Sequence, residues 1–252
     1  MIKFFRKIRQ NMIKENRTSK YLLYAIGEIV LVVIGILIAL SINNWNEQRK
    51  NANQELKLLQ SFKIGLEKDL ADIDSNISGH TKGLNSANMI LNLLESNQIY
   101  NDTLAKHFSN VMEPSRFVNS TSAFETLKSK GIDLITNEDL RNQLISVYDA
   151  QYTFFQYGEN SFMEEQNIGS RNIFPSRFEE SFNYDLADFN NLHGEIVPLN
   201  FESLKTDQEF LYFLKTIKNR TNVFVNFHYK NLRAHVVGLI NAIDSEIEKI
   251  KM

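Results

Sequence analysis

The chain has 252 residues, a formal net charge of −2 and no cysteine. That length is enough for a sizeable hydrophobic core beside a membrane anchor, and the missing cysteine excludes disulfides, thiol catalysis and thiolate metal sites. Charge is spread unevenly: seven of the 28 basic residues and two of the 30 acidic ones precede Asn44, which leaves 21 bases against 28 acids beyond it. A net-acidic main domain argues against nucleic acid as a partner.

Residues 1–20, MIKFFRKIRQNMIKENRTSK, set Ile2, Phe5, Ile8, Met12 and Ile13 at helical spacing among basic residues. The pattern suits a short interfacial helix on the inner leaflet. A plain basic tail that only sets topology fits the same residues.

Residues 21–43, YLLYAIGEIVLVVIGILIALSIN, predict one transmembrane helix. Only Glu28 and Ser41 are polar between Ala25 and Ile42, a run of roughly 27 Å as a helix against a hydrocarbon core of ~30 Å. Tyr21 and Tyr24 on one flank and Trp45 on the other are interface anchors. A charge at helix centre costs about 2.5–3.5 kcal/mol, whereas the Leu, Ile and Val residues of the run together return on the order of 5 kcal/mol, so insertion wins. The heavier basic flank is N-terminal, which predicts a cytoplasmic N-terminus and an outer C-terminal domain. Ala39 and Ser41 resemble a signal-peptidase site, but the apolar run is longer than a signal-peptide core.

Within the span, Gly35 and Ala39 form a small-xxx-small pair that admits a second helix closely. Glu28, seven residues before Gly35, falls on a similar face, and an intramembrane acid normally faces a partner or a polar cavity. Glu28, Gly35 and Ala39 are therefore the expected association residues, in a homo-oligomer or with another membrane protein. A shallow Glu28 that meets only interfacial water is the alternative.

The blocks MIKFFRKIRQ, KYLLYAIGEIVLVVIGILIAL and NNWNEQRK, with the later FETLKSKGIDLITNEDLRNQLISVYD from Phe124 to Asp149, resemble a family of uncharacterised single-span proteins from Bacteroidota. The resemblance implies a Gram-negative envelope protein, with an inner-membrane anchor and a helical periplasmic domain. It implies no activity and no catalytic residue.

Nothing between Gly35 and Gly65 breaks a helix outright, so the span is expected to run on into the next helix or to fray at the Asn-rich joint. From Leu56 a heptad stripe appears: Leu56, Lys63, Leu70, Ile77, Leu84 and Leu91 in one set, Leu59, Leu66, Ile73, His80, Ala87 and Leu94 in the other. This predicts a long amphipathic or coiled-coil helix, kinked or broken near Gly79 and Gly83. Further helices are expected over Asp102–Met112, from a capping box at Ser122 and Glu125 to Gly131, from Thr136 or Asn137 to about Gly169, and from a capping box at Thr206 and Glu209 to the C-terminus. Residues 170–205, with Pro175, Gly194 and Pro198, read as a long loop. The fold class is all-α: a transmembrane helix followed by a periplasmic bundle of long antiparallel helices, most simply four.

Few residues suggest chemistry. Asp72-x-Asp74-x-Asn76 starts like a calcium loop, but Ile77 stands where the loop needs Gly and Gly83 where it needs Glu. His228 and His235 are roughly 10.5 Å apart along one helix, too far for one metal. His80 lies on the stripe and reads as a core or interface residue. The aromatic residues Tyr148, Tyr152, Phe154, Phe155, Tyr157 and Phe162, with Phe224, Phe227 and Tyr229, line either a ligand pocket or, more simply, an aromatic core. No cofactor and no metal are expected. The function expected is a membrane-anchored periplasmic interaction or scaffold module. The alternatives are a sensory or ligand-binding domain that signals through a partner and, third, an enzyme without a recognisable motif.

Overall fold

The structure is a computed structural model, and it describes residues 18–96, 98–113, 115–180 and 194–252. The N-terminal segment before Thr18, the Tyr21 and Tyr24 side chains, Pro114 and His193 lie outside the described residues. The chain divides into two units, Met1–Gln54 and Glu55–Met252.

Helix α1 (Thr18–Leu94) is one uninterrupted element of 77 residues. In the first unit its most apolar 18-residue window has a mean hydropathy of 2.8 and buries none of its residues. This helix is long and apolar enough to cross a membrane. Leu31, Leu37 and Ile38 stand exposed around it, as lipid-facing residues do. Trp45 is exposed as well, with the Arg49 guanidinium 5.7 Å from its ring centre.

The second unit is helical with no named strand among the described residues, and Phe178 and Pro198 form an isolated bridge. Three long helical runs carry it. The first is the latter part of α1. Two short helices follow, α2 (Thr103–Met112) and α3 (Ser122–Lys130). The second run joins α4 (Glu138–Ile145), a π segment (Ser146–Gln151), α5 (Tyr152–Ile168) and a second π segment (Gly169–Ile173). After the one-turn α6 (Phe201–Leu204), the third run joins α7 (Gln208–Val223), a π segment (Phe224–Tyr229) and α8 (Lys230–Lys251). Among the described residues the bundle thus has three long members rather than four.

Cross-links give their directions. Glu55 meets Thr136 and Asp69 meets Tyr152, so α1 runs parallel to α4 and α5. Lys63 meets Asp244, Arg233 meets Asp74 and Lys215 meets Glu95, so α7 and α8 run antiparallel to α1.

The seam of α1 differs from the expected stripe in one half. Leu59, Leu66, Ile73, His80, Ala87 and Leu94 are buried as the spacing predicts. Their partners at 3.5-residue spacing are Glu55, Phe62, Asp69, Asn76, Gly83 and Ile90, one residue before the Leu56 set, which is mostly half-buried. Three of those six are polar, so a search for apolar periodicity slides onto the neighbouring leucines.

No break occurs at Gly79 or Gly83. Gly83 serves a close helix approach instead: a Cβ there would sit 2.8 Å from the Asn110 carbonyl oxygen of α2. Gly131, at φ 101°, ends α3 and donates its N–H to the Leu127 carbonyl, a backbone shape that L side chains rarely adopt.

The caps fall one residue away from two expected boxes. Thr121, not Ser122, precedes α3, and it makes no side-chain cap. Asp207, not Thr206, caps α7 by accepting from Phe210 N at 3.0 Å. Asn137 caps α4 as expected, accepting from Leu140 N at 3.1 Å. Of the expected loop at 170–205, residues 181–193 lie outside the described residues, and the flanking parts carry structure. The second π segment leads into a 3₁₀ turn (Phe174–Ser176), with Pro175 in its tolerated first positions. Phe174, Phe178, Ile196, Phe201 and Leu204 then enter a core shared with Phe108, Phe210 and Phe213. These apolar anchors outweigh the local breakers; burying each one fully is worth about 1.5–3 kcal/mol.

Candidate functional site

Several buried polar side chains, Glu55, Asp69, Asn76 and Glu159, hold connecting backbone. The extended segment between α2 and α3 has no strand partner, and side chains satisfy its amides. Phe117 N donates to Glu159 at 2.8 Å, Val118 N to Asp72 at 3.1 Å and Ser120 N to Asp69 at 2.7 Å. Ser115 Oγ donates to Asn76, whose amide nitrogen donates to the Asp72 carbonyl. At the next turn Thr136 N donates to Glu55 at 2.8 Å, and Asn137 donates to Glu246 at 2.6 Å. Burial pushes the Asp69 and Glu159 carboxyls up, against the hydrogen bonds that favour their ionised forms. For Glu246, burial is outweighed by Asn137 and Lys249, which hold its carboxyl below the ordinary value.

These bonds dispose of the calcium-like motif. Asp72 and Asn76 turn to the Ser115–Val118 stretch, while Asp74 pairs with Arg233 at 2.7 Å. Among the described residues no group of three or more His, Cys, Asp or Glu could hold a metal. His235 is exposed and takes no part in a cluster with His228.

His80 is buried in an aromatic box, with Phe162, Phe224 and Tyr229 at ring-centre distances of 5.4, 5.3 and 5.5 Å. Burial lowers its pKa to about 4, so the ring is neutral at pH 7. Its Nε2 and the Tyr229 hydroxyl are buried without a protein hydrogen-bond partner. Such atoms each carry a desolvation cost.

One exposed face differs in character. The π segment Phe224–Tyr229 turns Phe224 and Tyr229 inward and leaves Phe227 half outside. A π turn adds a residue to the ladder and rotates the following side chains. His228 lies in a cleft of about 300 Å³ with Gly158, Phe162, Arg220, Val223 and Phe224. Gly158 lets the ring lie close, since a Cβ there would meet the imidazole at 2.9 Å and displace it. Phe154 and Phe227 flank the imidazole at 5.6 and 5.2 Å, and they are 58% and 51% exposed. Burial lowers the His228 pKa. Arg220 is held by Ser161 and by Glu165 at the rim. Two exposed rings and Val223 around a small cleft form the candidate interaction face.

A family model described as a family of unknown function, DUF6090, matches residues 28–186, more than half of the chain. The chain belongs to that family. The DUF6090 match starts inside the apolar stretch of α1 and includes the carboxylates that hold the α2–α3 connection. Gly158 and Phe162 of the candidate face fall within it, whereas Arg220, Val223 and His228 fall beyond it. No curated protein and no solved structure matches the chain.

Of the residues expected to act in the span, Glu28 is half-buried, and Gly35 and Ala39 are exposed one helical turn apart. A Cβ added at Gly35 would meet nothing within 4 Å. Sequence spacing places Phe155, Phe162 and Phe224 inward, and they are buried. Phe155, Phe162, Phe224 and Tyr229 are core, and Phe154, Tyr157 and Phe227 are surface. In α5 the two sets follow ordinary helical spacing, with Tyr152, Phe155 and Phe162 on one face, whereas at Phe224–Tyr229 the π turn brings Phe224 and Tyr229, five residues apart, inward together.

Proposed function

We propose that this DUF6090 chain is a membrane-tethered interaction module of the Gram-negative envelope. In this reading the basic N-terminus is cytoplasmic, α1 crosses the inner membrane, and the unit Glu55–Met252 is periplasmic. The basic asymmetry around the span supports that orientation, and the resemblance of the N-terminal block supports a Bacteroidota source. The domain binds a protein partner on the face of Phe154, Val223 and Phe227. The carrying observation is that Phe154 and Phe227 stand exposed beside His228 and a preformed apolar cleft. Interface centres favour such aromatic anchors. A cleft of about 300 Å³ is at the small end of ligand sites, a size for an apolar side chain of the partner rather than for a large cofactor. The module is read as non-enzymatic.

Within the bilayer, Gly35 and Ala39 offer a second helix close approach, with Glu28 on a similar face. Homo-oligomerisation or pairing with a membrane protein through this stretch belongs to the proposal. Unchanged membrane crosslinking in Gly35→Ile and Glu28→Ala variants would remove that part.

The test is affinity purification of the intact protein from its own membrane, with mass spectrometry of what is retained. A protein partner should co-purify and be lost from a Phe154→Asp, Phe227→Asp variant. Equal retention by the variant, or none by the wild type, refutes the face. The uninterrupted α1 favours a second reading, a sensory domain; a retained histidine kinase would select it. Alkaline phosphatase fused after residue 60 should be active, and a silent fusion would reverse the topology.

A further inference from the structure

We propose that the cleft between α1 and α2 is a binding site for a compact oxyanion, the phosphate group of a phosphomonoester or of free phosphate. The cleft, of about 480 Å³, is separate from the aromatic face and is walled by Ser78, Thr81, Lys82, Ser86, His107 and Asn110. Its walls hold hydroxyl, amide, imidazole and ammonium groups and no carboxylate. That is unusual in a domain where acids outnumber bases, 28 to 21 from Asn44 onward. Lys82 is exposed and forms no ion pair among the described residues.

The hydrogen bonds set the polarity of the wall. Asn110 Nδ2 donates to Ser86 Oγ at 3.1 Å. Ser86 Oγ is 2.9 Å from His107 Nδ1. The Ser86 hydroxyl has one proton and two acceptor sites, so it pairs with either tautomer of His107; where it donates, Nδ1 is the acceptor. The neutral ring then carries its proton on Nε2 and keeps it as a donor. Burial and then the Lys82 charge both hold the His107 pKa below its ordinary value. The glycine contact at Gly83 fixes this wall, because it sets how closely α2 lies on α1. The His107 imidazole in its Nε2–H form, a free ammonium and two further hydroxyls match the several acceptor oxygens and the charge of a phosphate. A Ser–His pair also suggests hydrolysis. The intrahelical backbone of α1 and α2 leaves no N–H pair to stabilise an oxyanion intermediate, so binding is the chemistry assigned.

The test is the titration of His107 by NMR in the full-length chain in detergent, with inorganic phosphate added at constant ionic strength. Bound phosphate should raise the His107 pKa and shift its ring signals saturably. Lys82→Ala, at an exposed position, should weaken the affinity about tenfold, the worth of one charge-assisted contact. Ser86→Ala should remove the His107 response while an aromatic-face variant, Phe227→Asp, keeps it. An unshifted His107, an equal response to acetate, or an affinity indifferent to Lys82→Ala would overturn the site. Partner binding at the aromatic face stands or falls separately, through the Phe227 variant.

Discussion

The Tyr152 hydroxyl donates to Asp69 at 2.6 Å, and both residues are 1% exposed. The same carboxylate accepts from Ser120 N at 2.7 Å, so one acid joins α1, α5 and the segment before α3. Asp69→Ala would strand a buried hydroxyl and a backbone amide together. It should lower stability by about 2–4 kcal/mol, and Tyr152→Phe by about 1–2 kcal/mol. A double-mutant cycle in urea should show coupling between them; additive losses would mean that the bond contributes nothing of its own.

His80 gives the bundle an acid-sensitive point. Its pKa of about 4 when folded is below the ordinary 6.5. The folded state therefore binds fewer protons in that window. The stability tied to this group is complete above pH 6.5 and falls as pH drops toward 4, by roughly 3 kcal/mol. Asp69 and Glu159, with raised values, act oppositely: acidification relieves their burial. His80→Leu should flatten the fall between pH 6.5 and 4 relative to wild type in urea midpoints. An unchanged slope would place the acid response elsewhere.

Gly79 and Gly83 should respond in opposite directions to alanine. At Gly79 the nearest atom to an added Cβ is Ser115 Oγ at 3.9 Å, an ordinary contact, so Gly79→Ala should stabilise the helix by about 0.5–1 kcal/mol. At Gly83 the Asn110 carbonyl stands at 2.8 Å and belongs to backbone. Gly83→Ala should therefore destabilise by about 1–3 kcal/mol. Thermal unfolding of the two variants checks both signs.

Arg177 donates to Asp207 at 2.7 Å and to Glu209 at 2.6 Å. Its hydrogen bond holds the Asp207 carboxyl below the ordinary value. Asp207 also caps α7. Asp207→Ala removes cap and ion pair and should cost about 1–2 kcal/mol, with Asp207→Asn keeping most of the cap. Hydrogen exchange at Phe210 and Leu211 reads the difference directly.

Much of this architecture was legible in the sequence. The apolar run of α1, the inward faces of α2, α7 and α8, and the Asn137 cap follow from spacing and residue type. The second half of the α1 seam was not, because Glu55, Asp69 and Asn76 are buried for the sake of distant backbone, which periodicity does not see. Gly83 was read as a weakness because helix propensity is local and its contact with Asn110 is tertiary. The turns and core anchors at 170–180 and 194–205 were hidden behind Pro175 and Pro198. Phe224 keeps the helical spacing of the inward face and is buried, but the burial of Tyr229 five residues on rests on a π turn, which spacing does not announce. The pairing of Ser86 with His107 joins two helices and leaves no sequence mark.

A connection between helices usually tolerates insertions and deletions. The one between α2 and α3 does not have that freedom. Phe117, Val118 and Ser120 present their amides to Glu159, Asp72 and Asp69, three acceptors fixed on two rigid helices. Exposed side chains along it such as Val118 can vary, because the backbone makes the bonds, while Phe117 is held by its burial against Tyr152 and Phe155. Its length cannot: one residue added or removed would put every downstream amide out of step with its carboxylate. In working relatives this stretch should therefore vary in spelling while keeping its count.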